Sequence, residues 1–415
     1  MISPPVTYLD FLLTHRRFLG FGFAMALFAS FGQTYFIALF SADLRHAFDL
    51  GHGGFGTIYA AATITSAAIM MAAGQFIDRI DLRAYSAGLC LCMAGACLYM
   101  AVMPTGSLVF LYIGILLLRL TGQGLMSHAS STSMARYFQE GRGKALSIAS
   151  LGHAAGEAVF PLLAVSLLVL LGWRQSWGVI GLALAIGLAP LALWLLCGHG
   201  QRHADFLERV RAHAATGAAA VQWSRSRVLR DPFFHWILPL LLAPSFINTG
   251  VFFNQVHLVE VKGWTLAQFA AGFVVYAGAT LVAALLAGPL VDRLGAIRLF
   301  PLMLGPLVLS LLLLATLDSP MAIFAFMLLA GLSQGGFVTC AGAMWAEIYG
   351  VTHIGSIRAM ASSLMVFSTA LSPAIMGLAI DAGISIDHIL LACALWVLIG
   401  SILAGRAVAR RRRQL

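Results

Sequence analysis

Charge is what this sequence has least of. Only 10% of its 415 residues are Asp, Glu, Lys or Arg, where a soluble domain carries roughly 25%. Sixty per cent are hydrophobic, and the mean hydropathy is +0.91. Too little polar surface exists to cover a water-soluble enzyme. A disordered chain, which needs low hydrophobicity and high charge, is excluded as well. Lysine is almost missing, with Lys144 and Lys262 alone among the basic residues and arginine supplying the rest. The six cysteines lie in apolar runs. Cys90 and Cys92, two positions apart, face different directions on a helix. No zinc spacing occurs, so the cysteines are expected to be small packing residues rather than disulfides. No phosphate loop of the Gly-x-x-x-x-Gly-Lys-Ser/Thr type is found, which excludes ATP hydrolysis by that device. No period-two alternation is found, which excludes a membrane β-barrel. The first apolar run is too long for a signal peptide and reads as a retained helix.

What the sequence does have is long apolar runs. A hydrocarbon core of roughly 30 Å needs about 20 apolar residues per helix. Twelve candidates occur, at approximately 18–42, 53–77, 84–103, 107–135, 145–171, 175–198, 233–259, 264–291, 297–317, 321–346, 357–380 and 386–405. Lipid offers no partner to unpaired backbone groups, so these runs must be helices. The expected fold class is an all-α membrane protein with twelve transmembrane helices in two pseudo-symmetric six-helix bundles. With the N-terminus in the cytoplasm, 21 of the 25 basic residues fall on cytoplasmic segments. Arg45, Arg174 and Lys262 fall outside, and Arg119 lies within a span. That asymmetry fits both the count and an orientation with both termini cytoplasmic. The net charge of +9 therefore reads as topology rather than nucleic-acid binding. Arg410 to Arg413 follow a span and are expected to anchor the tail to anionic headgroups.

The longest polar break divides six spans from six. The expected organisation is an N-terminal bundle at 1–198, a cytoplasmic linker at 199–232 that is partly helical over 205–213, and a C-terminal bundle at 233–415. The halves repeat each other. Gly74, Asp78 and Arg79 recur 214 positions later as Gly288, Asp292 and Arg293. Gln33-Thr34 recurs 215 positions later as Asn248-Thr249, and Gly122-Gln123-Gly124 is echoed by Ser333-Gln334-Gly335. Two six-helix halves with a site between them is a transporter plan.

These motifs resemble the major facilitator superfamily over essentially the whole chain. Gly74-x-x-x-Asp78-Arg79-x-x-x-Arg83 looks like that family's signature loop between its second and third helices, and Gly288 to Arg298 is a degenerate second copy. Asp81 stands where the family usually has Gly. Arg119-x-x-Gly122-Gln123-Gly124 is similar to the fourth-helix motif, and Gly152-x-x-x-Gly156 with Pro161 is a loose form of the fifth-helix motif. Tyr137-Phe138, Arg142, Ala145, Ala149 and Gly152 resemble a loop pattern of monocarboxylate-type carriers. Glu140 and Gly141 replace basic positions of that pattern, and the eighth span lacks the Arg of related carboxylate carriers.

Two charges lie deep in spans, and intramembrane charge is usually functional. At 1.5 Å per residue, Arg119 and Glu157 each sit about 18 Å into their helices. An unpaired charge there is costly, so the two are expected to pair or to share a hydrogen-bond network. Substrate or proton would compete for Arg119 when Glu157 is neutral; a fixed structural ion pair is the alternative. His153, one turn before Glu157, is a candidate relay or a residue bonded to the backbone. Gln33, Gln123, Asn248, Asn254 and Gln334 are amides within spans that the resemblance places around a central cavity. Gly74, Asp78, Arg79, Arg83, Gly288, Asp292 and Arg293, with the helix start near Arg358, are read as a gate. Its carboxylates would face positive helix ends when the cytoplasmic side is shut.

The expected function is a secondary active transporter of a small solute by alternating access, proton-coupled, with a small organic anion favoured as cargo. A proton-coupled drug or metabolite exporter of the same fold is the alternative, and a membrane receptor or enzyme is the alternative from another class. No cofactor is expected beyond a proton gradient. The expected partners are the lipid bilayer and a small-molecule substrate, with no nucleic acid and a monomeric state in a cell inner membrane.

Overall fold

The structure is a computed structural model that describes residues 8–138, 141–214, 225–349 and 354–412, and the described residues contain no strand. The first half of the chain forms α1 (Tyr8–Phe28), α2 (Thr34–Ile37), α3 (Ser41–Phe48), α4 (His52–Ala73), α5 (Leu82–Val102), α6 (Leu108–Leu118), α7 (Ser127–Tyr137), α8 (Arg142–Leu171) and α9 (Trp173–Leu195). The connecting segment carries α10 (His199–Ala214) and α11 (Arg225–Leu229). The second half forms α12 (Pro232–Phe253), α13 (Gln255–Lys262), α14 (Leu266–Leu294), α15 (Ala296–Leu299), α16 (Gly305–Thr316), α17 (Met321–Tyr349), α18 (Ile354–Asp381) and α19 (Ile386–Arg412).

Among the described residues, eleven spans are long and apolar enough to cross a bilayer unaided. A twelfth follows when Asp10–Gly32 and Thr34–Phe48, bent by 43° at their junction, count as one. The first crossing therefore differs from the expected 18–42. Its helix starts before Arg16 and Arg17, which are exposed, because long cationic side chains at a helix end can reach water without ending the helix. The connecting helix α10 is also longer than expected, beginning at His199. All six cysteines are free.

Two compact units emerge from the internal contacts. The first holds Met1–Ile37 and Ala62–Ala218, and the second holds Ala38–Ala61 and Ala219–Leu415. In the first, α1 packs on α8 and α7, and α5 packs on α9. In the second, α12 packs on α18 and α19, α14 on α17, and α16 on α19. The first crossing thus pairs with the fifth and the third with the sixth in each set of six, as an internal repeat requires.

Small residues make these pairings close, since packing rather than hydrophobicity holds helices together in lipid. A side chain at Gly152 would meet the carbonyl of Phe23 and begin 2.9 Å from the Ala26 methyl. One turn on, a side chain at Gly156 would meet the Ser30 hydroxyl and begin 3.0 Å from the Leu27 carbonyl. The Gly152-x-x-x-Gly156 motif is the face on which α8 lies against α1.

Aromatic and basic groups dock α10 on the same unit. The Tyr137 hydroxyl lies 2.9 Å from His203 Nδ1, and its ring stands edge-on to His199 at 4.9 Å. The Arg202 guanidinium sits 4.1 Å over the Phe18 ring. His199 is buried. Burial, helped by the Arg202 charge, lowers its pKa from 6.5 to about 4.

Candidate functional site

The polar centre of the first unit is built on a broken helix. The first crossing leaves α-helical geometry at Ala29–Gly32 and turns extended at Gln33. Interrupted helix carbonyls need other donors where water is absent. Arg119 provides one: its Nη1 donates to the Gly32 carbonyl at 3.1 Å. The same nitrogen lies 3.3 Å from Thr34 Oγ1, and Nε donates to Thr63 Oγ1 at 3.2 Å. Arg119 is 1% exposed. It opens a π-helical stretch, Arg119–Met126, a local widening often found at functional sites. That stretch reaches the break because two glycines meet there. A side chain on Gly122 would begin 2.7 Å from the Gly32 Cα, and one on Gly32 would begin 2.9 Å from the Gln123 nitrogen. Arg119, Gln33 and Gln123 are therefore gathered around one backbone contact. Both glutamines are half-buried, with no side-chain hydrogen bond among the described residues.

The expected Arg119–Glu157 pair does not form. The described hydrogen bonds of Arg119 go to two hydroxyls and a carbonyl. Glu157 is half-buried on α8 and has no hydrogen bond or ion pair among the described residues. The packing explains the difference. Gly156 takes the face pressed on Ser30, and Glu157, about 100° further round at 3.6 residues per turn, falls beside that contact. His153 is likewise half-buried without a side-chain bond among the described residues.

In the second unit Asn248 Nδ2 donates to Gln334 Oε1 at 3.3 Å. Asn248 is buried, and its Oδ1 has no partner among the described residues. Buried acceptors of this kind are rare and call for an explanation. Asn254 takes a different part. It caps the end of α12, and its Nδ2 donates back to the Gly250 carbonyl at 2.9 Å. Applying the offset of 215 places it at Leu39, in the short 3-10 turn Ala38–Phe40 between α2 and α3.

The signature loops are partly described. Gly74 faces His128, 3.6 Å from where a side chain would begin. The side chain of Asp78 lies outside the described residues. Arg79 and Arg83 are exposed. Asp81, the departure from the family's Gly, is the cap of α5 and accepts the Arg83 and Ala84 amides at 2.9 and 3.4 Å. In the second copy Asp292 and Arg293 are exposed, and Gly288 stands in open space. Arg358 is exposed, with Nη2 beside Gly342.

Three carboxylates at helix starts were not singled out from the sequence. Glu347 Oε2 accepts the Ala296 and Ile297 amides at 2.8 and 3.3 Å, and Asp231 caps α12 by accepting the Phe233 amide at 3.0 Å. Asp381 accepts the His52 amide at 2.9 Å and the Gly53 amide at 2.7 Å. Both oxygens thus sit on the positive N-terminal end of α4, where a carboxylate is favoured. Gly53 leaves room for them: a side chain there would begin 2.9 Å from Asp381 Oδ2. This clamp helps bind Ala38–Ala61 to the Ala219–Leu415 part of the second unit. Beside it the Arg45 guanidinium lies 3.2 Å from His52 Nε2, and the His52 and His257 rings are 4.4 Å apart.

The comparisons agree with this architecture. The Major Facilitator Superfamily profile matches residues 22–285 and 245–415. The uncharacterized MFS-type transporter YcxA of Bacillus subtilis (strain 168) is 25% identical over 305 residues, 71% of each chain. The MFS transporter asaE of Aspergillus flavus is 25% identical over 242 residues, 56% of this chain and 50% of that one. Among solved structures, a bacterial homolog to the human lysosomal transporter Spinster, inward-facing and unoccupied, superposes with a TM-score of 0.68 at 12% identity. That match covers 95% of this chain and 97% of the other. The occupied inward-facing form gives 0.62 at 14% identity, covering 100% and 98%. At such identity these structures speak for the fold. With the family profile spanning nearly all of the sequence, the chain belongs to the major facilitator superfamily and is a multi-pass membrane transporter, not an enzyme.

Proposed function

We propose that the chain is a proton-coupled secondary transporter that moves a small organic anion by alternating access. The observation that carries this reading is the membrane-buried Arg119, held in place by Gly32, Thr34 and Thr63, with Glu157 on the neighbouring α8 free of any bond among the described residues. A guanidinium positioned by neutral oxygens keeps the strongest side-chain recognition of a carboxylate. A carboxyl without a fixed partner in a span is suited to take up and release a proton. Gln33 and Gln123 supply orienting hydrogen bonds, and the orphan Asn248 Oδ1 is an acceptor for a cargo or water donor. His153 is the relay candidate.

Gating in this proposal uses the carboxylates at helix starts. The signature loops, with Asp78, Arg79, Arg83, Asp292, Arg293 and Arg358, bias the equilibrium on one membrane face. The Asp381 clamp biases it on the other. Contacts made in one state and lost in the other shift a two-state equilibrium by their differential free energy. No cofactor is required, and the energy source is the proton gradient. The working form is a monomer in a cell inner membrane with both termini cytoplasmic.

The test is uptake of labelled small organic acids, with lactate and pyruvate first, into proteoliposomes holding an imposed pH gradient. Uptake is expected to collapse when a protonophore removes the gradient. Glu157→Gln is expected to abolish the pH dependence, and Arg119→Ala to abolish uptake. Uptake that ignores the protonophore, or a Glu157→Gln protein with the wild-type pH profile, would overturn proton coupling through this residue.

A further inference from the structure

A cavity of about 380 Å³ opens in the second unit between the start of α12 and the end of α19, lined by Asp231, Phe233, Trp236, Arg406, Arg410 and Arg411. Three arginines face one aspartate there, so the lining carries an excess of two positive charges. The members are not equivalent. Arg411 is held: its Nη1 contacts Asp231 Oδ2 at 2.9 Å and Oδ1 at 3.2 Å. Asp231 is itself fixed, accepting the Phe233 amide at 3.0 Å and the Tyr349 hydroxyl at 3.1 Å. Arg406 and Arg410 are exposed and have no hydrogen bond or ion pair among the described residues. They stand four apart on α19, one above the other on the same face, where like charges repel. Arg410 lies 5.5 Å over the Trp236 ring.

We propose that this cavity binds the phosphate headgroup of an anionic phospholipid. An anion between Arg406 and Arg410 removes their repulsion and takes the paired N–H donors that guanidinium offers to phosphate. The location selects a lipid over a soluble phosphate. The cavity lies at the same end of two membrane spans, Pro232–Phe253 and Ile386–Arg411. Trp236, 37% exposed, is about 6 Å into α12 at 1.5 Å per residue, the level at which tryptophan marks the headgroup region. Basic pockets between spans at this level suit anionic headgroups. Arg411, already paired to Asp231, shapes the wall and is not the ligand's main charge partner. The site is made by Arg406 and Arg410 with Trp236; of the tail arginines Arg410 to Arg413 expected to anchor the chain, Arg413 and the side chain of Arg412 lie outside the described residues.

The experiment uses the full chain in neutral detergent, reading the thermal unfolding midpoint against added dioleoyl phosphatidylglycerol, dioleoyl phosphatidylcholine or inorganic phosphate. Phosphatidylglycerol is expected to raise the midpoint saturably, and phosphatidylcholine to leave it unchanged. The half-saturating lipid concentration is expected to rise at least tenfold in Arg406→Gln/Arg410→Gln and to stay unchanged in Arg16→Gln, an exposed arginine outside the cavity. Should the double variant fold poorly, the single variants are each expected to raise it at least threefold. Equal stabilisation by phosphatidylcholine, or an unaltered response in the arginine variants, overturns the site. Full stabilisation by inorganic phosphate alone overturns the lipid as its occupant.

Discussion

Arg119 Nη1 reaches the carbonyl oxygen of Gly32 at 3.1 Å across 87 residues of sequence. A side chain from the fourth crossing thus completes the backbone of the first. It couples a charge that could meet an anion to the point where the first crossing bends by 43°, so occupancy of Arg119 and the geometry of that bend should move together.

Arg119→Ala therefore removes more than a recognition group. It strands the Gly32 carbonyl, and an unsatisfied buried acceptor costs about 1–3 kcal/mol. The variant is expected to unfold at lower temperature in detergent and to lose uptake. Arg119→Lys keeps a charge but cannot span Gly32, Thr34 and Thr63 with a rigid fork, so it should recover part of the stability and little of the transport. Full uptake by Arg119→Ala would remove Arg119 from the mechanism, and full uptake by Arg119→Lys would show that the charge alone, without the guanidinium fork, suffices.

Gly152 and Gly95 make a paired test of the α1–α8 contact. A side chain at Gly152 meets the Phe23 carbonyl and Ala26, whereas Gly95 has nothing within 4 Å. Backbone atoms cannot move aside as a flexible side chain can, so overpacking should cost about 1–3 kcal/mol or more. Gly152→Val is expected to reduce the folded fraction sharply in size-exclusion profiles, and Gly95→Val to leave it near wild type. Similar profiles for the two variants would show that α8 does not depend on this close approach.

The fold was largely legible because lipid makes its demands additively along the chain. Each crossing needs its own apolar length, and twelve such runs can be counted. The break at Gln33 was hidden because it lies inside an apolar run: Phe31, Phe36 and Ile37 read equally well as continuous helix. The site was half legible. Arg119 announced itself as a charge in a span, and its gathering with Gln33 and Gln123 follows from Gly32 meeting Gly122. The expected partner was wrong because depth along a helix says nothing of azimuth. Equal depth placed Glu157 beside Arg119, whereas Gly156 takes the face pressed on Ser30 and leaves Glu157 to one side of that contact. Asp231, Glu347 and Asp381 stand at span ends, where charge is ordinary, and only the facing amides single them out.

Asp381 is expected to hold the start of α4 through the His52 and Gly53 amides. Asp381→Ala removes both acceptors and the charge that faces the helix N-terminus, a contribution of about 0.3–2 kcal/mol from the dipole alone. In a background without the exposed Cys92 and Cys197, a cysteine placed at the buried Ser41 should react faster with a membrane-impermeant maleimide once Asp381 is replaced. Asp381→Asn, which keeps an acceptor, should give an intermediate rate. An unchanged rate in Asp381→Ala would mean that the clamp does not govern access to this face.

The connecting helix predicts a pH dependence outside the membrane. Burial of His199, with the Arg202 charge beside it, lowers its pKa from 6.5 to about 4. A histidine with a lowered folded pKa binds fewer protons folded than unfolded between those two values. Linkage then makes stability fall as the pH drops through that interval. The contribution is complete above about pH 6.5 and lost by about pH 4, the reverse of a histidine stabilised by a carboxylate. In detergent, the thermal midpoint should therefore decline from pH 7 to pH 4.5. His199→Phe keeps a ring against Tyr137 and Phe18 but cannot titrate, so it should flatten that part of the decline. If the decline is equally steep in His199→Phe, the protons are taken up elsewhere, and α10 is not released by acid through this residue.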